Sequence, residues 1–114
     1  MRNTDTLKKN YEFKHIFDNG KFYNGKYINV YIIKNNVNKN KIGIAVSKKA
    51  GKSVKRNKVK RLIRENYRLL EGNLITGNNI IIMWKSKIDI ELADFENIKK
   101  DMKYIFRKAK IVKE

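Results

Sequence analysis

The chain has 114 residues, 41% of them hydrophobic, and a formal net charge of +17. That length fits one compact domain with a modest core, and the apolar fraction sets it apart from a disordered polycation. With no cysteine and a single histidine, His15, disulfides, thiolate metal sites, multi-histidine metal sites and a histidine-dependent triad all lack material.

So large a positive excess costs stability through self-repulsion, and a polyanionic partner is the natural reason to tolerate it. The segment Met1 to Lys9 has no apolar stretch of the kind that marks a secretory signal, and the longest apolar run, Ile80 to Trp84, is far short of a membrane span. A cytoplasmic location is therefore expected.

Asn10 reads as a helix N-cap, followed by Phe13, Ile16 and Phe17 at helical spacing, with Gly20 as the stop; this predicts a helix over Tyr11 to Asn19. Lys21 to Asn24 reads as a short strand turned by Asn24-Gly25. Tyr27 to Lys34 is rich in β-formers. Its alternation puts Ile28, Val30 and Ile32 on one face and Tyr27, Asn29, Tyr31 and Ile33 on the other. The polar stretch Asn35 to Asn40 reads as a hairpin loop leading to a third strand, Lys41 to Ser47. There Ile42, Ile44 and Val46 form a core side, while the small residues Gly43, Ala45 and Ser47 leave room for something to lie on the sheet.

Lys48 to Ser53 is a basic loop containing glycine. Ser53 is a candidate N-cap for a long helix ending near Leu70, with Gly72 beyond. Asn78 to Trp84 reads as a buried strand. Asp94 is a candidate N-cap for a last helix whose stripe is Phe95, Ile98, Met102, Ile105, Phe106 and Ala109. The order helix, three strands, helix, strand, helix predicts an α+β sandwich in two layers. No repeat or linker divides residues 1–114, so one domain is expected.

The long helix is the most informative segment. At about 100° per residue, Val59, Leu62, Ile63, Tyr67 and Leu70 share one arc. Arg56, Lys60, Arg64, Asn57, Arg61 and Arg68 share the neighbouring arc. One face can thus meet a sheet while the next gathers cations around an amide. Arginine forks pair with phosphate oxygens, lysine adds point charge, and neutralised phosphates release counterions. The Asn57 amide can donate and accept against a base edge or a 2′-hydroxyl. A solvated basic face is the plain reading of an isolated Lys run. Here the charges gather on one arc of a strongly basic chain, which favours nucleic acid.

At these residues the chain resembles the bacterial ribonuclease P protein family. The family carries Arg-Asn-Arg and then Lys-Arg-x-x-Arg on one long helix; here these stand as Arg56-Asn57-Lys58 and Lys60-Arg61-Leu62-Ile63-Arg64. Ser47-Lys48-Lys49 and Gly51 upstream fit the same pattern. So do Glu12-Phe13 with Phe17 and Gly20, the strand Ile80-Ile81-Ile82, and Ile105-Phe106-Arg107-Lys108. Lys58 departs from the family's arginine, keeping the charge and losing the fork; it also lies off the basic arc.

The resemblance implies an α+β fold, order αβββαβα, with a left-handed βαβ crossover. It implies a protein subunit of an endoribonuclease whose RNA subunit is catalytic and holds the magnesium ions. It further implies that the protein binds that RNA subunit, and that Arg56, Asn57, Lys58, Lys60, Arg61, Arg64 and Arg68 of the motif helix are RNA-binding, divided between subunit RNA and substrate in a way the resemblance leaves open. The 5′ leader of precursor tRNA would lie in a cleft formed by Phe13, Phe17, Tyr31, Ser47, Lys48 and Lys49. Aromatic planes stack single-stranded bases with little sequence preference, which suits a subunit serving many leaders; ordinary packing is the competing reading for Phe13 and Phe17, four apart on a helix.

The alternative assignment is a structural RNA-binding protein of ribosomal type. A protein-only nuclease lacks the clustered carboxylates or histidine pair it needs near the basic face. His15 reads as a surface or packing residue and Trp84 as core or rim. The acids Asp89, Glu91, Asp94 and Glu96 read as helix-dipole partners rather than metal ligands.

Overall fold

The computed structural model describes residues 4–114; residues 1–3, the first of the segment read for a leader, lie outside. Eight elements follow in chain order: β1 (Thr4–Thr6), α1 (Asn10–Asn19), β2 (Lys21–Asn24), β3 (Ile28–Lys34), β4 (Asn40–Ala45), α2 (Ser53–Leu70), β5 (Asn78–Trp84) and α3 (Phe95–Lys108). The α+β order holds, with one added strand at the front. The five strands form one sheet in the order β1-β4-β5-β3-β2.

The run Ile80-Ile81-Ile82 explains the topology. All three side chains are fully buried, so β5 needs cover on both faces and takes the centre. It pairs antiparallel with β3 and parallel with β4. The stretch 35–39 is consequently not a hairpin loop, because β5 lies between the strands it joins. β4, α2 and β5 form a parallel crossover unit between adjacent strands.

The two faces of the sheet have separate cores. On one, Ile28, Val30, Ile32, Ile80 and Ile82 meet Val59, Ile63 and Tyr67 of α2 and Ile98, Met102, Ile105 and Phe106 of α3. On the other, Ile81 meets Leu7 and Ile16, with Phe13, Tyr31, Ile33 and Met83 packed at the margin. Helices therefore cover both faces, two on the first and the short α1 on the second. Trp84 belongs to the core, its indole N–H donating to the Ile88 carbonyl at 3.2 Å. Tyr27 precedes β3 and stacks on Trp84, leaving the side that strand alternation predicts.

Helix starts differ by one residue from expectation. Lys9, not Asn10, caps α1, and Lys52, not Ser53, caps α2, neither through its side chain. Asp94 caps α3 as expected, accepting from the Asn97 N–H at 2.7 Å. Gly20 ends α1 with extended φ and ψ, so the chain passes straight into β2 instead of making a left-handed stop.

β1 is fastened from two sides. It pairs in parallel with β4, and the Thr4 hydroxyl lies 2.8 Å from the Tyr67 hydroxyl of α2 in the interior. Burial pushes the Tyr67 phenol up from its ordinary value, against the opposing effect of that hydrogen bond.

Candidate nucleic-acid interface

The basic helix α2 is held by its apolar arc. Val59, Ile63 and Tyr67 are buried, as is Asn66, whose amide donates to the Leu62 and Phe95 carbonyls at 3.1 and 3.2 Å. That second bond ties α2 to the start of α3 and fixes the rotation of the helix. The neighbouring arc then faces outward: Asn57, Arg61, Arg64 and Arg68 are exposed, and Arg56 and Lys60 are half-buried. Lys58 is exposed too.

The ion pairs among the described residues are Lys14–Asp18, Lys39–Asp5, Lys41–Glu12 and Lys55–Glu91. None uses a cation of the α2 arc. The Arg56 Nε is buried without a hydrogen-bond partner among the described residues, an arrangement that favours an incoming acceptor. Just upstream, the Ser47 hydroxyl accepts from the Lys49 N–H at 3.2 Å and stabilises a single turn, Lys48–Ala50, that holds Lys48 and Lys49 exposed.

The aromatic residues gather on the opposite face of the sheet. Phe17 of α1 meets Tyr31 of β3 edge-on, ring centroids 5.0 Å apart. Phe22 of β2 meets the same tyrosine at a tilt, also at 5.0 Å. Phe17 and Phe22 remain 38% and 47% exposed, so Tyr31 joins two rings that each keep a free surface. Phe22 is absent from the predicted set. A turn centred on Asn24-Gly25 would place it opposite Tyr27; the observed turn is centred on Lys26-Tyr27, with the Gly25 N–H donating to the Ile28 carbonyl at 2.9 Å, and that register places Phe22 opposite Tyr31.

Phe13 does what the small residues of β4 invite. A Cβ on Gly43 would stand 2.6 Å from the Phe13 ring, so it is Phe13 that lies on the sheet there, half-buried. Phe13 and Arg64 line one small cleft of about 100 Å³ with Thr6, Leu7, Ile42 and Ile44. The structure thus brings the basic helix to the edge of the aromatic face. Beyond Gly43, Ala45 and Ser47 are half-buried and lead to Lys48 and Lys49.

Glu12 fixes α1 over the sheet. Its carboxylate accepts from the Lys9 N–H at 3.3 Å and pairs with Lys41 of β4 at 3.5 Å. Desolvation pushes its pKa up, but the backbone N–H groups of Lys9 and Lys8 and the Lys41 ammonium outweigh it and hold the carboxyl below its ordinary value.

Among the described residues no group of three or more histidines, aspartates or glutamates comes together as metal ligands. Asp89 and Asp94 accept backbone N–H groups instead, and Glu91 pairs with Lys55. His15 is exposed and close to the Asn19 amide. No helix among the described residues is long and apolar enough to cross a membrane.

The profile of one protein family, described as Ribonuclease P, matches residues 1–110. The chain belongs to the ribonuclease P protein component family. It is 39% identical to the ribonuclease P protein component of Natranaerobius thermophilus over 109 residues, covering 96% of this chain and 93% of that one. It is 43% identical to that of a Thermoanaerobacter species over 103 residues, covering 90% and 87%. Its fold is similar to the ribonuclease P protein of Staphylococcus aureus, with a TM-score of 0.83 at 29% identity over 94% of this chain and 96% of that one. The Thermotoga maritima protein gives 0.82 at 29% identity over 91% and 96%. Membership makes the chain a component of ribonuclease P and places it in tRNA processing.

Proposed function

We propose that this subunit binds two RNAs through two surfaces and leaves the chemistry to its RNA partner. The outward arc of α2 binds the ribonuclease P RNA. Arg61, Arg64 and Arg68 neutralise phosphates, and the Asn57 amide meets a base edge or 2′-hydroxyl. The single-stranded 5′ leader of precursor tRNA lies across Phe17 and Tyr31 and runs toward Ser47, Lys48 and Lys49. Phe13 supports that surface from beneath rather than stacking freely. The work is done in the cytoplasm.

The observation that carries this reading is the Phe17–Tyr31 pair, Phe17 exposed and Tyr31 half-buried, on the sheet face opposite α2 and α3. A partly open aromatic pair in a chain of this charge suits unpaired bases better than a duplex. Magnesium held by the RNA subunit supplies the metal chemistry of cleavage. The chain's own residues bind, orient and screen charge.

The test is reconstitution. Added to a bacterial ribonuclease P RNA, the chain should stimulate leader removal at low magnesium. Phe17→Ala with Tyr31→Ala should weaken binding of precursor tRNA and spare mature tRNA. Equal losses for the two RNAs, or no stimulation with a matched RNA subunit, would contradict it.

A further inference from the structure

The outer face of α3 carries charge of one sign. The acids of this helix are Glu96, in its first turn, and Asp101. The Asp101 carboxylate is turned inward onto the Lys26, Tyr27 and Ile28 N–H groups. Past Glu96 the exposed residues are Lys100, Lys103, Tyr104, Arg107 and Lys108. At about 100° per residue, Lys100, Lys103 and Arg107 fall within about 60° of one another, on a strip roughly 10 Å long. The opposite side of the helix, with Ile98, Met102, Ile105 and Phe106, is buried in the core, so the strip points outward.

None of these cations joins an ion pair among the described residues. Like charges three or four apart on a helix repel. A face that had only to be wetted could interleave acids, as α1 does with Lys14 and Asp18. The helix dipole favours Arg107 and Lys108 in the last turn, but its effect does not extend back to Lys100 and Lys103. Tyr104 stands among the cations, 54% exposed, its ring centroid 5.8 Å from the Lys108 ammonium. Lysine is depleted at protein–protein interfaces, whereas nucleic-acid interfaces are strongly positive and use exposed rings for stacking.

The strip is separate from the basic arc of α2. Arg64 lines a cleft with Thr6 and Ile42 on the β4 side of that helix. Asn66, about 200° further round, bonds to the Phe95 carbonyl at the start of α3. In this half of α2, Glu65 and the exposed Leu69 lie between the two basic surfaces, and neither suits a phosphate. We propose that the outer face of α3 is a second docking surface for the ribonuclease P RNA, gripping the phosphate backbone of a segment other than the one that meets α2. This rests on the α2 reading above. Lys100, Lys103 and Arg107 neutralise phosphates along the strand, and Tyr104 stacks on an unpaired base. RNA then holds the helical layer from two sides and leaves the aromatic face of the sheet free for the leader.

Two measurements test this on the complex with a bacterial ribonuclease P RNA and precursor tRNA, under conditions that block cleavage. The chain has no cysteine, so Lys103→Cys gives a single attachment point for an iron chelate that cuts nearby RNA by hydroxyl radicals. It should cut the RNA subunit at nucleotides other than those cut from Ser53→Cys at the start of α2. Affinity for the RNA subunit is then followed against salt for the wild type and for Lys100→Gln combined with Lys103→Gln and Arg107→Gln. These exposed substitutions remove repulsion and should leave the melting midpoint unchanged or raised. With about 0.7–0.9 counterion released per phosphate, the advantage of the wild type should shrink about four- to sixfold for each doubling of salt. The triple variant should keep the preference for precursor over mature tRNA. The proposal is overturned by no cuts in the RNA subunit from Lys103→Cys, or by cuts only where Ser53→Cys also cuts. It is overturned equally by a triple variant with the wild-type salt slope, which would leave the face to an acidic protein. In each of these cases weakened binding by Arg61→Ala keeps the α2 reading standing. Failure of the wild-type chain to bind the RNA subunit overturns both.

Discussion

Removing the Asp101 carboxylate should unfasten the β2–β3 turn. Asp101 lies on α3, 7% exposed. Its Oδ1 accepts from the Lys26 N–H at 2.9 Å, and its Oδ2 accepts from the Tyr27 and Ile28 N–H groups at 2.7 and 2.9 Å. The turn closes so tightly around it that a Cβ on Gly25 would stand 2.6 Å from Oδ2. In Asp101→Ala the three donors lose a charged acceptor. Ile28 is fully buried and Tyr27 half-buried, while Lys26 can turn to water. Counting about 2 kcal/mol for Ile28, about 1 for Tyr27 and little for Lys26 gives a loss of roughly 3 kcal/mol. At roughly 4 °C per kcal/mol for a domain of this size, the melting midpoint should fall by about 12 °C. Asp101→Asn can keep its oxygen toward Tyr27 and Ile28 and turn its NH2 toward Lys26, so its loss should be about half. Thermal melting measures both, and amide exchange should accelerate first at Tyr27 and Ile28. A midpoint within about 3 °C of the wild type for Asp101→Ala, or an Asn variant as unstable as the Ala variant, would refute the reasoning.

Three further outcomes are expected. Gly43→Ala forces the Phe13 ring off β4 and should cost about 1–3 kcal/mol of stability, partly recovered by Phe13→Leu; no recovery on melting would mean that Phe13 is not what the new methyl meets. Arg61→Ala or Arg64→Ala should weaken assembly with the RNA subunit and lower the slope of log affinity against log salt by about 1 for each phosphate no longer neutralised; an unchanged slope in both would remove the α2 arc from the interface. Because the folded protein holds Glu12 below its ordinary value near 4.5, its contribution is complete above that value and lost as pH falls through the lower, folded one. The stability gap between wild type and Glu12→Gln, followed by melting against pH, should hold at neutral pH and close in acid; a gap that widens in acid would reverse the sign.

Much of the fold was legible because its helices and longer strands repeat their apolar residues at one period. Val59, Ile63 and Tyr67 mark the inner arc of α2, and Ile28, Val30 and Ile32 the inner face of β3. β1 was not legible. Thr4–Thr6 is short and polar, and its pairing with β4 is parallel and distant in sequence, so no local signal announces it. The hairpin expected between β3 and β4 failed for the same reason in reverse. Adjacent strands usually pair, and only the demand of Ile81 for cover on the second face puts β5 between them. Asp101 was also hidden. An acid on a helix reads as solvent-facing until the turn whose N–H groups it accepts is in place. In the site, the α2 arc follows from helix geometry alone, whereas the join between Phe17, Tyr31 and Phe22 needs the β2–β3 register and the crossing of α1.

The distribution of acids explains why the charge of this protein is directed rather than diffuse. Asp89, Asp94 and Asp101 are committed to backbone N–H groups. Asp5, Glu12, Asp18 and Glu91 are committed to lysines at the start of β4, on α1 and at Lys55. Each acid so placed neutralises a local site away from the outer arc of α2, which keeps Arg61, Arg64 and Arg68 exposed and without a carboxylate among these pairs. A chain that needed only solubility could have scattered its cations. Holding them without an ion pair among the described residues, on a helix whose inner face is locked by Val59, Ile63, Asn66 and Tyr67, costs stability through mutual repulsion, which phosphates of a bound RNA would relieve. On the proposed reading the attraction to RNA and the self-repulsion of the free chain have one source, and substitutions that weaken the first should raise the melting midpoint of the free chain.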